Sequence, residues 1–186
     1  MPCLRSCPTP STRPGRATAN LIIVTRFEDK SIQVEDFGRG CPVDWNEKEQ
    51  RYNWELVFCE LYAGGKYGGD GDNYEYSLGL NGLGSCATQY ASEYFDATIY
   101  RDGSKYTLHF EKGENIGGLH KEPTDRGRKT GSTFRWKPDL EVFTDIDIPV
   151  EYYLDVMKRQ AVGQLRRHLP LPQPDRWEVR DHRLPL

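Results

Sequence analysis

The feature that most constrains this chain is a glycine-dense interruption, with eight glycines falling between Gly64 and Gly84. Glycine loses more backbone freedom on folding than any other residue and brings no side chain to a core, so no regular element runs through such a stretch. It reads as a long mobile loop, and loops of this length usually carry function.

The sequence on either side is periodic. Leu21 to Thr25 reads as a strand, Glu28-Asp29-Lys30 as a turn, and Ser31 to Asp36 alternates at period two, which together make a hairpin. Trp54 to Tyr62 and Ser85 to Phe95 read as helices. Ala97 to Tyr100 and Lys105 to Glu111 form a second hairpin around Asp102-Gly103. Ser132 to Lys137 is a further strand, and Val150 to Val162 is a helix that Pro149 starts. No internal repeat is evident. The ends differ from this middle. Residues 1–18 hold four prolines, and 163–186 are rich in Pro and Arg. Proline removes a donor and fixes φ, so neither end is expected to form a regular element.

With 186 residues, 37% hydrophobic and 12% aromatic, the chain can bury one real core. Its net charge of −3 argues against a module that grips nucleic acid by itself. No run approaches the ~20 apolar residues of a membrane span, and the N-terminus lacks the apolar region of a secretory signal. The five cysteines, Cys3, Cys7, Cys41, Cys59 and Cys86, are odd in number and form no CxxC pair. With four scattered histidines they complete no zinc pattern, and free thiols in a reducing cytoplasm are expected.

Four short stretches carry chemistry. Asp36-Phe37-Gly38-Arg39-Gly40-Cys41-Pro42 brings a strand-terminal carboxylate and bare backbone to one spot. The carboxylate can accept from an exocyclic amine such as adenine N6, and a flat ring can lie on the glycine backbone; taken alone, the stretch also reads as a capped turn. Ala63 to Gly69 adds the cation Lys66 to a glycine loop. Gly79-Leu80-Asn81-Gly82-Leu83-Gly84 runs into a helix, where converging backbone N–H groups suit phosphate. No Gly-Lys-Ser/Thr follows, so it is no Walker A loop, and no strand immediately precedes it, as the dinucleotide fingerprint needs. Lys129 to Thr133 opens a strand with hydroxyls at one sheet end.

Taken together and in order, these stretches resemble the GHKL ATPase fold, and within it the N-terminal domain of the B subunit of bacterial type IIA topoisomerases. The resemblance covers about Ala19 to Val162. Leu61 to Tyr67 is similar to that family's loop after the second helix, Leu78 to Gly84 to its phosphate loop, and Thr130-Gly131-Ser132 to its Thr-Gly-Thr. Histidine kinases and the related chaperone and mismatch-repair ATPases share Asp-x-Gly-x-Gly but not the Ala-Gly-Gly-Lys loop. The resemblance implies an α+β fold, a two-layer sandwich of a mixed, mostly antiparallel sheet with helices on one face, incomplete at the N-terminus. It implies that Asp36 reads adenine N6 with a water held by Gly40 and Ser132. Arg39 and Pro42 flank the base, Thr130 belongs to the same wall, and Lys66 with Gly79, Leu80, Asn81, Gly82, Leu83 and Gly84 holds the phosphates. Asn81 stands where many relatives have histidine, and Phe37 where they often have Asn or Asp. ATP and Mg²⁺ are the implied cofactors. The A subunit, DNA and a second B subunit are the implied partners, in the cytoplasm.

One part of the family pattern has no counterpart. A helix before the first hairpin carries Glu-x-x-x-Asn in the family, the glutamate as general base and the asparagine on Mg²⁺. Nothing in residues 1–20 fits, and Glu28 is the first acid in the chain. No catalytic base or metal ligand is therefore assigned. Read out of frame, the codons of Pro8 to Thr18 are compatible with N-A-I-D-E-A-R-A-G-H, and those of Leu4 to Cys7 with E-V-L-S. Pro172 to Arg176 likewise permits N-Q-T-G, and Arg180 to Leu186 permits E-T-I-D-Y-L. The expectation is a core of residues 19–162 between non-native or disordered tails, 1–18 and 163–186, with frame changes near Ala19 and Val162.

Overall fold

The structure, a computed structural model, describes residues 21–63, 83–124, 130–165 and 176–181. Strands β1 (Leu21–Arg26) and β2 (Ile32–Asp36) form the first hairpin, in register from Ile22↔Asp36 to Arg26↔Ile32. A short ribbon, β3 (Trp45–Asn46) with β4 (Arg51–Tyr52), leads into α1 (Asn53–Phe58). The Glu55 carboxylate accepts the Tyr52 N–H at 2.8 Å, which satisfies a donor at the helix start. After α2 (Leu83–Tyr90) come β5 (Ser92–Arg101), β6 (Ser104–Glu111), β7 (Glu114–Pro123) and β8 (Gly131–Pro138). Helix α3 (Val150–Leu165) and β9 (Arg176–Asp181) complete the described elements.

The sheet runs β7-β6-β5-β8-β2-β1-β9. Every pair is antiparallel except β1 with β9. One face is apolar: Phe95, Ala97 and Ile99 alternate with Asp96 and Thr98 along β5, and Phe134 and Trp136 with Thr133 and Arg135 along β8. Leu56, Val57 and Phe58 of α1 are buried against this face. The Phe58 ring sits 5.5–6.0 Å from those of Phe95, Phe110 and Phe134, so one helical side chain ties three strands together. Tyr153 and Met157 bring α3 into the same core. The α+β expectation holds, with a mostly antiparallel sheet.

Several elements differ from the sequence reading, the first being α1, which ends at Phe58 and not at Tyr62. The expected helix from Ser85 to Phe95 ends at Tyr90, and residues from Ser92 belong to β5. The Ser92 hydroxyl donates to the Thr88 carbonyl at 2.6 Å and closes the helix, after which Tyr94 and Phe95 find partners on both β6 and β8. That two-sided pairing outweighs a local helical pattern. Strand β7 is new. The turn that creates it, Lys112-Gly113 with φ of +46° and +91°, suits a tight hairpin as Asp102-Gly103 does. Finally, α3 extends past Val162 and β9 lies inside the segment expected to lack regular structure. The reason is tertiary: β1 offers a backbone edge that Arg176–Asp181 pairs with, residue for residue.

Candidate functional site

The site forms where β2 ends beside the start of β8. Register places Asp36 opposite Ser132, and Ile99 of β5 beyond it. The Asp36 carboxylate Oδ1 accepts the Gly38 N–H at 2.9 Å, which turns the chain away from the strand. Two β8-side hydroxyls then fasten the turn. Thr130 Oγ1 donates to the Gly38 carbonyl at 2.5 Å, and Ser132 Oγ accepts the Cys41 N–H at 3.0 Å. Ser132 also lies within hydrogen-bonding reach of the Asp36 carboxyl. Burial pushes that carboxyl above its ordinary range, while the bonds from Gly38 and Ser132 oppose the shift. The result is a half-buried carboxyl whose loss of water is only partly offset by its bonds to the protein.

Two glycines make this close approach possible. Gly40 has φ +81°, and a Cβ there would lie 2.7 Å from the Tyr100 carbonyl oxygen. Gly131 has φ +154°, and a Cβ there would lie 2.3 Å from the Asp36 carbonyl oxygen and 3.2 Å from Phe37 Cα. Both contacts are to backbone, which does not swing aside. Any side chain at either position therefore displaces the strand or turn that holds Asp36.

The structure thus brings together Asp36, Gly40, Thr130 and Ser132. Arg39, exposed, and Pro42, half-buried, lie on the same turn. Leu83 and Gly84 open α2, where Thr88 Oγ1 donates back to the Gly84 carbonyl at 2.8 Å. Lys66, Gly79, Leu80, Asn81 and Gly82 lie outside the described residues. Sequence reasoning assigned no hydrogen-bonding part to Gly38 or Cys41 and no close approach to Gly131. Gly38 supplies both a donor to Asp36 and an acceptor to Thr130, and Cys41 is tied in through its N–H. Their positions inside the motifs Asp36–Pro42 and Thr130–Ser132 were the available signal. Cys41, Cys59 and Cys86 are free thiols, and burial pushes the Cys41 thiol far up and that of Cys59 up to about 11, so neither is a ready nucleophile. Among the described residues no group of three or more His, Cys, Asp or Glu is placed to hold a metal ion.

No family model matches the chain. Individual relatives do. The topoisomerase IV B subunit of Salmonella typhimurium is 35% identical over 144 residues, 77% of this chain and 22% of that protein. The type 2 topoisomerase B subunit of Aquifex aeolicus is 35% identical over 167 residues, 89% of this chain and 19% of that protein. The gyrase B subunit of Thermotoga maritima is 38% identical over 126 residues, 68% and 19% of the respective lengths. The chain therefore spans about a fifth of the curated relatives it matches. Among solved structures, the topoisomerase IV ATP-binding domain of Francisella tularensis, held with a small-molecule inhibitor, superposes with a TM-score of 0.61 at 26% identity. That match covers 78% of this chain and 66% of that one. The ATPase domain of Thermus thermophilus gyrase B, held with an aminocoumarin, gives a TM-score of 0.67 at 23% identity over 89% and 38%, a likeness of fold. With this identity across most of its length and this likeness of fold, the chain belongs to the GHKL ATPase-domain family of the type IIA topoisomerase B subunits.

Proposed function

We propose that this chain binds ATP at the Asp36 turn, as the nucleotide-binding core of a type IIA topoisomerase B subunit. The observation that carries the reading is the Asp36 carboxylate at the end of β2, bonded by the Gly38 N–H and facing Ser132. A carboxylate there can accept from an adenine amine. The glycine turn allows a flat base to lie against backbone, and Thr130 and Ser132 keep that turn from opening. Arg39 and Pro42 flank the base. Lys66 and the glycines from Gly79 to Gly84 close on the phosphates, with the first turn of α2 directing its N–H groups there. In a full-length subunit this binding drives pairing of two B subunits and couples to the A subunit and DNA in the cytoplasm. Mg²⁺, when bound in the family, offsets phosphate charge.

This chain by itself binds without hydrolysing. No Glu-x-x-x-Asn helix pattern occurs in residues 1–20. The test is calorimetry with an ATP-competitive ligand on the full chain, alongside a phosphate-release assay. Binding lost on Asp36→Asn with release at background is the expected result. Binding that survives Asp36→Asn overturns the assignment of the base site, and Mg²⁺-dependent turnover overturns the non-hydrolysing reading.

A further inference from the structure

The sheet face turned away from the helices carries a groove of about 360 Å³, within the range of small-molecule sites. Strand register lays two rows of side chains across its floor. One row is Gln33, Arg135, Asp96 and His109, taken from β2, β8, β5 and β6 in turn. The other is Thr133, Thr98, Thr107 and His120, from β8, β5, β6 and β7. A bulge in β7 raises one wall. There three residues, Gly117 to Leu119, face one residue of β6, with φ of +83° and +75° at Gly117 and Gly118. The Asn115 side chain pins the bulge by accepting the Gly118 N–H at 2.9 Å and donating to the His109 carbonyl at 3.1 Å.

The chemistry of the floor is alternating and balanced. Arg135 is taken up by Asp29 at 3.5 Å and by the Ser31 hydroxyl, and Asp96 holds His109 Nδ1 at 2.6 Å while Glu111 reaches its Nε2 at 3.2 Å. The charges of this row are thus already paired within the protein, so a charged ligand gains little from them. Beside it the hydroxyls of Thr133, Thr98 and Thr107 stand in line; none is hydrogen-bonded to another described side chain, and each can both donate and accept. Adjacent donors and acceptors without net charge match neighbouring hydroxyls, each of which also gives and takes one bond. No Phe, Tyr or Trp lines the groove to stack on a sugar face, which sets a weak affinity.

We propose that this groove is a second ligand site, separate from the Asp36 turn, for a small neutral polyhydroxylated molecule such as a sugar. The test is NMR titration of the full chain, following the His109 and His120 ring protons, with glucose, gluconate and glucosamine as the neutral, anionic and cationic probes. Glucose is expected to shift both rings saturably, with millimolar affinity and at least about fivefold tighter than either charged probe. Thr98→Val, which keeps the branched shape and removes one hydroxyl, is expected to weaken glucose about fivefold. Asp36→Asn is expected to leave the titration unchanged, so failure here is distinguishable from failure of the nucleotide reading. Tighter binding of gluconate or glucosamine, an unaltered Thr98→Val titration, or no saturable shift at about 0.1 M glucose overturns the proposal.

Discussion

Gly131→Ala tests the geometry of the Asp36 turn most directly. The added methyl lands 2.3 Å from the Asp36 carbonyl oxygen and 3.2 Å from Phe37 Cα. An unstrained carbon–oxygen contact needs about 1 Å more than that first distance. Neither neighbour can rotate away, so β8 must separate from the end of β2, where Ser132 faces Asp36. Overpacking of this kind costs about 1–3 kcal/mol, and alanine at φ +154° adds about 1–3 kcal/mol of backbone strain. A total of about 2–6 kcal/mol corresponds to a fall in Tm of about 4–24 °C for a domain of this size. Gly118→Ala is the control, because it has a positive φ of +75° but open space around its Cβ. It pays only the left-handed backbone cost, about 1–2 kcal/mol. The assay is thermal unfolding of both variants followed by titration with an ATP-competitive ligand. Gly131→Ala should melt well below Gly118→Ala and lose most ligand affinity, because Asp36 and Ser132 move apart. Equal melting of the two variants, with binding retained in Gly131→Ala, would refute the close-approach argument.

The other outcomes concern charge and core. Asp36→Asn should bind no nucleotide yet be at least as stable as the parent at neutral pH. The raised carboxyl pKa means that ionisation destabilises the fold, a penalty absent below the ordinary value of 3.8 and complete above the folded value. The stability advantage of Asn should therefore vanish on acidification, and a variant less stable than the parent at pH 7 but not at pH 4 would contradict this sign. His109→Gln should lower Tm slightly near pH 5 and not at all near pH 9. Its pKa is raised above 6.5, chiefly by the Asp96 hydrogen bond, so its stabilisation is full below 6.5 and lost as pH rises through the folded value. Equal deficits at both pH values would show that packing, not charge, is responsible. Phe110→Ala removes a fully buried ring that meets Trp54, Phe58 and Phe95. It should cost about 3–5 kcal/mol in denaturant unfolding, and a loss under about 1 kcal/mol would mean that the helices do not pack on this face.

Much of the site was legible in residue order, because its parts are local. Asp36 followed by glycines, and Thr130-Gly131-Ser132 opening a strand, are short-range signatures of a turn and a strand start. Hairpins with Asp102-Gly103 at their tip were equally plain, since turn chemistry is written in two residues. What residue order alone determined was therefore the first two hairpins and the two glycine-bearing turns. Only the tertiary structure decided that Asp36 and Ser132, 96 positions apart, lie opposite each other, that Gly131 has no room for a side chain, and that Arg176–Asp181 becomes a strand. It also decided that Ser92 to Phe95 leaves its helix for the sheet. These outcomes rest on backbone edges and buried contacts supplied by distant segments. A local pattern cannot encode them, because the free energy that selects them comes from a partner the pattern does not contain.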